Sequence, residues 1–237
     1  LDPAATPRTL KCNATITAGP VDDVVNQCEQ WADDGFEVFK LKAGPDEAIA
    51  LASAVRSALG PEAKIRIDAN GTWGITAADL LKQLEGVGIE LVEEPVTGLA
   101  DLASLSRLTS IPLVADESVN DPQEAADAFM EKACAAVTVK LAKIGGLDAS
   151  LGGHLPTYLS SALDGPVGIA AAAHVAQTLD PDVPWPDMAH GLATERLLVE
   201  QLSVNGPLTR RNELDPPADV HGLGVELDEK TLASCRL

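Results

Sequence analysis

Three apolar runs of this sequence break off in carboxylates. Lys64-Ile65-Arg66-Ile67 ends at Asp68, Ile89-Glu90-Leu91-Val92 ends at Glu93 and Glu94 before Pro95, and Ile111-Pro112-Leu113-Val114-Ala115 ends at Asp116 and Glu117. Two further runs end in lysine: Val38-Phe39-Lys40-Leu41-Lys42 and Ala136-Val137-Thr138-Val139-Lys140. Asp68, Glu93 and Asp116 form an all-oxygen set without His or Cys, which suits a hard cation, Mg²⁺ foremost, completed by water and substrate oxygens. Without a cation, three carboxylates facing one another would raise one another's pKa values. A lysine beside a divalent cation gives up its proton more readily, so Lys42 and Lys140 are candidates for general-base work, with the acids pulling the other way. A substrate carboxylate on the metal would set its α-carbon between the two amines, and loss of the α-proton gives an enediolate for the metal and the second lysine to stabilise. The plainer reading is that the acids cap the helices that follow and that the lysines pair with them. It suits one strand end better than three in succession.

The elements that would position these groups repeat evenly. Counting from Lys42 to Asp68, Glu93, Asp116 and Lys140 gives steps of 26, 25, 23 and 24 residues. That is one strand plus one helix, the period of βα units in series. The pattern predicts strands at 10–17, 37–42, 64–68, 89–93, 111–115, 136–140, 156–161 and 188–194. Helices are expected at 21–34, 46–59, 76–84, 99–108, 122–132, 147–155, 168–179 and 195–202. Asp121-Pro122-Gln123-Glu124 is a strong helix start, with a capping acid, Pro at the first position and an acid three residues after the cap. Gly152-Gly153 makes 147–155 a poor helix. The 237 residues match a single α/β barrel, which typically needs about 250. In such a barrel the C-terminal ends of the strands share one mouth, so the acids and lysines converge there. Residues 1–10 read as a linker from a missing N-terminal region, 11–204 as the barrel, and the Pro- and Gly-rich 205–237 as a tail outside the repeat.

Composition narrows the partners. The 17 Lys and Arg against 36 Asp and Glu leave a formal charge of −19, a field that repels nucleic acid and anionic membrane. A small-molecule carboxylate bound in an enclosed site is the expected partner; oligomeric state is open. Cys12, Cys28, Cys134 and Cys235 show neither zinc spacing nor a disulfide framework, which fits a reducing, cytoplasmic compartment. No run is long enough for a membrane span, and the N-terminus lacks signal-peptide character. His154, His174, His190 and His221 show no ligand spacing and read as surface or packing residues.

Lys40-Leu41-Lys42, Asp68-Ala69-Asn70-Gly71, Glu93-Glu94-Pro95, Ala115-Asp116-Glu117-Ser118 and Lys140 with Gly145-Gly146 resemble the enolase superfamily, in the muconate-lactonizing-like subgroup with a lysine on both faces. The resemblance spans nearly the whole chain. It implies an α/β, TIM-type barrel of modified (β/α)7β form, with an N-terminal capping domain largely absent here and a tail that would pack against that cap. It further implies Mg²⁺ on Asp68, Glu93 and Asp116, Lys42 as base, Lys140 as electrostatic partner, and Lys40 and Asn70 beside the substrate carboxylate. Asn13-Ala14-Thr15, Ser160-Ser161-Ala162-Leu163-Asp164 and Gly191-Leu192-Ala193-Thr194 resemble the branch of that subgroup that aromatises a cyclohexadiene carboxylate by loss of water in menaquinone biosynthesis. Ser160, Ser161 and Gly191 would then contact the substrate's side arm. Racemases, epimerases and cycloisomerases share the two-lysine geometry, and a non-catalytic barrel that binds a metal or a carboxylate is the alternative of a different class.

Overall fold

A parallel strand can pair with the next only after a crossover, and this chain makes that crossover repeatedly with a helix. The computed structural model describes residues 7–74, 77–146, 155–179, 188–200, 202–207, 209–218 and 221–234. Within them, β2 (Ala14–Ile16), β3 (Val38–Lys42), β4 (Lys64–Asp68), β5 (Leu91–Glu93), β6 (Leu113–Ala115), β7 (Ala136–Val139) and β8 (Thr157–Leu159) form one parallel sheet in chain order. The intervening helices are α1 (Val21–Asp33), α2 (Ala48–Leu59), α3 (Ala77–Glu85), α4 (Leu99–Ser106), α5 (Pro122–Glu131) and the short α6 (Leu141–Ile144), with α7 (Pro166–Ala176) after β8. The expected helix at 147–155 lies almost wholly outside the described residues.

Residues 190 and 191 close the sheet into a barrel. Cys12 bridges His190 and Ser160 bridges Gly191, both in parallel. His190 N–H donates to the Lys11 carbonyl at 2.7 Å and Asn13 N–H donates to the His190 carbonyl at 2.9 Å. On the other side Gly191 N–H donates to the Leu159 carbonyl at 2.9 Å. The eighth stave is therefore two residues long where 188–194 was expected. Leu192 turns into a helical backbone conformation, and Ala193–Leu197 forms a 3-10 turn in place of the helix expected at 195–202. A continuous apolar run suits a buried strand and a buried turn alike, so periodicity did not separate them.

The first expected strand is also divided. β1 (Leu10–Lys11) pairs antiparallel with β9 (Glu213–Leu214), and only from Ala14 does the chain join β3. The tail thus returns to the start of the first stave. It ends in α8 (Glu229–Ser234) after Ser203 and Leu227 make an antiparallel bridge.

Strand alternation divides the interior into two cores. Phe39, Leu41, Ile65, Ile67, Val92, Leu113, Ala115, Val137, Val139 and Leu159 face the helices, where Leu51, Val55, Leu81, Leu84, Leu102 and Ile169 bury against them. The lumen holds a small apolar cluster of Leu91, Val114, Ala136, Tyr158 and Met188. The remaining lumen positions are polar, and they carry the candidate chemistry. The helices are set by ordinary signals: the Asp121 side chain accepts from Glu124 N–H at 2.8 Å, and α2 stops at Gly60 with φ of 82°. Cys12, Cys28 and Cys134 are buried free thiols. Among the described residues no helix is long and apolar enough to cross a membrane.

Candidate active site

The register brings the acids together. Lys42 pairs with Asp68 and Asp68 with Glu93, while Glu93 pairs with Val114, two residues before Asp116 on the same face. The three carboxylates therefore end adjacent strands at the mouth of one barrel, and all three are buried. None caps a helix, since α3, α4 and α5 begin at Ala77, Leu99 and Pro122. β3 and β7 lie four staves apart in a ring of eight, so Lys42 and Lys140 stand on opposite sides with the acids on the staves between them.

Ammonium groups engage the acids. Lys40, on the lumen side of β3, reaches Glu93 Oε1 at 2.6 Å and Asp68 Oδ2 at 3.0 Å. Its cost of burial alone would lower its pKa, but the charges of Glu93 and Asp68 outweigh that and hold the ammonium well above its ordinary range. Glu93 shows the reciprocal effect: burial opposes ionisation, yet the charge and hydrogen bond of Lys40 pull it down to about 2. Asp68 is pushed up, chiefly by burial and partly offset by Lys40. Asp116 is pushed up to about 7 by burial and by the charge of Glu93, with Lys140 offsetting part of it. Lys140 Nζ donates to Asp116 Oδ2. Burial would lower Lys140, but Asp116 holds it above its usual value.

The loops after the strands are tied to the same frame. Lys42 Nζ donates to Asn70 Oδ1 at 3.4 Å, and Asn70 N–H donates to Asp68 Oδ1 at 3.2 Å. Asn70 and Glu94 both adopt positive φ, at 46° and 43°, so the chain turns sharply just past Asp68 and Glu93. That turn separates the adjacent acids. Glu93 enters the lumen, whereas Glu94 accepts from Asp116 N–H at 2.8 Å and from the Ser118 hydroxyl and so braces the next loop. Trp73 donates its indole N–H to the Ala43 carbonyl at 2.9 Å and joins the loops after β3 and β4.

Ser160, Ser161 and Gly191 lie on the two staves that close the ring. A Cβ at residue 191 would meet Ser160 Oγ at 2.5 Å, so glycine permits the close pairing. The Ser161 hydroxyl accepts from Asp164 N–H at 2.7 Å and holds the turn before α7. His190 is buried, its Nδ1 accepting from Leu159 N–H at 3.0 Å.

Sequence reasoning missed three participants. Lys143, one turn after Lys140 on α6, donates to the Asp116 carbonyl and lies 3.4 Å from Asp116 Oδ1. The fully buried Tyr158 donates its hydroxyl to Glu93 Oε2. Arg66, also fully buried, donates to Glu90 Oε2 at 2.6 Å and to the Ala189 carbonyl at 2.7 Å. The usable signal was alternation, which puts Arg66 and Tyr158 on the same face as Asp68 and Ser160.

The donor set fits a hard cation in kind and in strand position, because carboxylate oxygens alone end β4 and β5 and follow β6. As placed, each carboxylate is shared with an ammonium group. Among the described residues no three His, Cys, Asp or Glu side chains form a ligating group. A cation would compete with Lys40 and Lys140 for these oxygens.

Comparison with known proteins gives a consistent result. Residues 23–231 match the enolase C-terminal domain-like family. The o-succinylbenzoate synthase of Thermobifida fusca is 34% identical, covering 99% of this chain and 73% of that protein. The L-Ala-D/L-Glu epimerase of Bacillus subtilis is 32% identical over 71% of this chain and 50% of its own length. Among solved structures, muconate cycloisomerase from Pseudomonas fluorescens superposes with a TM-score of 0.89 at 28% identity, over 98% of this chain and 67% of that one. The chain thus spans between half and about three quarters of these relatives' lengths.

Proposed function

This chain belongs to the enolase superfamily, and from that premise we propose that it is an o-succinylbenzoate synthase, a hydro-lyase of menaquinone biosynthesis acting in the cytoplasm. The reaction would convert 2-succinyl-6-hydroxy-2,4-cyclohexadiene-1-carboxylate to o-succinylbenzoate by syn loss of water. The placement of Lys42 and Lys140 on opposite staves with Asp68, Glu93 and Asp116 between them supports α-proton abstraction, and the observation that carries the choice of substrate is the 34% identity to the Thermobifida fusca synthase over 99% of this chain, against 71% for the epimerase.

Lys42, as the free amine, takes the α-proton from one face of the ring. The same ammonium then gives that proton to the departing hydroxyl, so water leaves from the face that lost the proton and Lys42 is regenerated. Lys140 opposes it as a fixed positive charge, since Asp116 keeps it protonated, and that charge offsets the negative charge that develops at the substrate carboxylate. Asp68, Glu93 and Asp116 would hold Mg²⁺, which when bound supplies a Lewis acid's pull on that carboxylate. Asn70, hydrogen-bonded to Lys42 and to Asp68, orients the base. Ser160, Ser161 and Gly191 would line the space for the succinyl arm.

The test is an assay of the protein with Mg²⁺ and the cyclohexadiene acid, following aromatisation by absorbance. Lys42→Ala and Lys140→Ala should each abolish turnover while circular dichroism and unfolding stay native-like; an inactive wild type that is folded and metal-loaded overturns the assignment. The 32% identity to a dipeptide epimerase supports a second reading, in which the same lysines exchange an α-proton without loss of water. Deuterium wash-in from D₂O into an L-Ala-L-Glu substrate, with no aromatisation of the cyclohexadiene acid, would favour it.

A further inference from the structure

The geometry points to Tyr158 as a positioning residue for Glu93, its hydroxyl fixing the orientation in which that carboxylate meets a divalent cation. The inference rests on the reading of Glu93 as a metal ligand. Tyr158 stands on β8 and Glu93 on β5, three staves away, so their hydrogen bond crosses the lumen. The two oxygens of Glu93 are fixed from two directions. Lys40 donates to Oε1 at 2.6 Å from β3, and the phenol donates to Oε2 from β8.

The phenol has little freedom of its own. Leu91, Val114, Ala136 and Met188 enclose its ring, and the guanidinium of Arg66 lies 5.4 Å from the ring centroid. Arg66 is in turn anchored to the Ala189 carbonyl and Glu90. A donor held this firmly removes the rotational freedom of the Glu93 carboxylate before any ligand arrives. Partners of this kind behind a metal ligand typically contribute roughly ten- to a hundredfold in affinity. The lumen face of β8 otherwise needs only an apolar side chain to fill it, so the hydroxyl is the part of Tyr158 that packing does not explain.

The experiment compares Mg²⁺ binding to the wild type and Tyr158→Phe by titration calorimetry, with unfolding of both measured in metal-free buffer. The expected result is a dissociation constant raised at least tenfold in the variant. Wild type that binds Mg²⁺ and a folded variant that binds within twofold of it overturn the inference; wild type that binds none overturns the metal reading itself. Tyr158 is the chain's only tyrosine, so ultraviolet resonance Raman bands of tyrosine in the wild type report on this hydroxyl alone. If Tyr158→Phe does not fold, those bands decide. A shift on addition of Mg²⁺ supports the role, and bands that stay unmoved while calorimetry shows binding overturn it.

Discussion

Replacing His190 by Asn should remove one proton's worth of pH dependence from the stability of the barrel. His190 sits where the ring closes, with Nδ1 accepting from Leu159 N–H, and protonation there would destroy the bond. Burial, with the charges of Arg8 and Arg66, pushes its pKa from 6.5 down to about 3. The unfolded chain therefore takes up a proton below pH 6.5 that the folded chain refuses until about pH 3. The stability contributed by neutral His190 is complete above 6.5 and is lost as pH falls towards 3, at about 1.4 kcal/mol per unit. Asp116 runs the other way. Its pKa of about 7 exceeds its ordinary 3.8, so the folded chain binds the extra proton and gains stability as pH falls through that window. The two slopes nearly cancel in the wild type, and a flat profile alone would prove nothing. The difference between wild type and His190→Asn isolates the histidine, because Asn can still accept from Leu159 N–H and does not titrate. From pH 7.5 to pH 4.5 that difference should move by about 2.7 kcal/mol against the wild type, two units' worth below the histidine's ordinary pKa. Urea unfolding in metal-free buffer at several pH values measures it. Parallel curves for the two proteins would refute the reasoning.

Three other substitutions follow from the same frame. Lys40→Met strips the ammonium from two buried acids and should destabilise by about 3–5 kcal/mol near neutral pH. Because Glu93 is held near 2 by Lys40, that loss should shrink as pH falls from 4.5 towards 2, a trend that urea unfolding against pH would reveal. Gly191→Ala drives a methyl group to 2.5 Å from Ser160 Oγ and should cost about 1–3 kcal/mol in chemical denaturation, with partial recovery in the double variant carrying Ser160→Gly. Trp73→Phe loses the hydrogen bond to Ala43 and the pyrrole half of a buried ring, which predicts about 1–3 kcal/mol in the same assay and faster amide exchange in the loop after β3.

Much of the fold could be read because strand ends carry polarity that strand interiors forbid. Asp68, Glu93, Asp116 and Lys140 each interrupt an apolar run at the same stage of a βα unit, so their spacing located β4 to β7 and the shared mouth. The eighth stave left no such mark. Residues 188–195 are buried almost throughout, and a two-residue bridge followed by a tight turn produces the same apolar text as a longer strand. The first stave misled differently. Leu10 and Lys11 have strand character, but they spend it on an antiparallel partner more than 200 residues away, a pairing that no local pattern specifies.

The polar groups of the candidate site were legible at the ends of the strands and illegible one layer below them. Lys40 read as a group for the substrate, and its pairing with Glu93 and Asp68 inside the barrel, two residues before the strand end on the lumen side, was not read. Tyr158 and Arg66 were passed over for the same reason, since each sits mid-strand among apolar neighbours where a polar residue is easily taken for an edge position. Applying the two-residue alternation to every strand, and not only to its last residue, would have placed Lys40, Arg66, Glu93 and Tyr158 on one inner surface. Buried polar groups need partners, and here Lys40, Glu93 and Tyr158 satisfy one another while Arg66 turns to Glu90 and the Ala189 carbonyl. Glu93 is thus held from beneath by a lysine and a phenol, Asp68 by the same lysine, and Asp116 by Lys140 and Lys143 at the mouth.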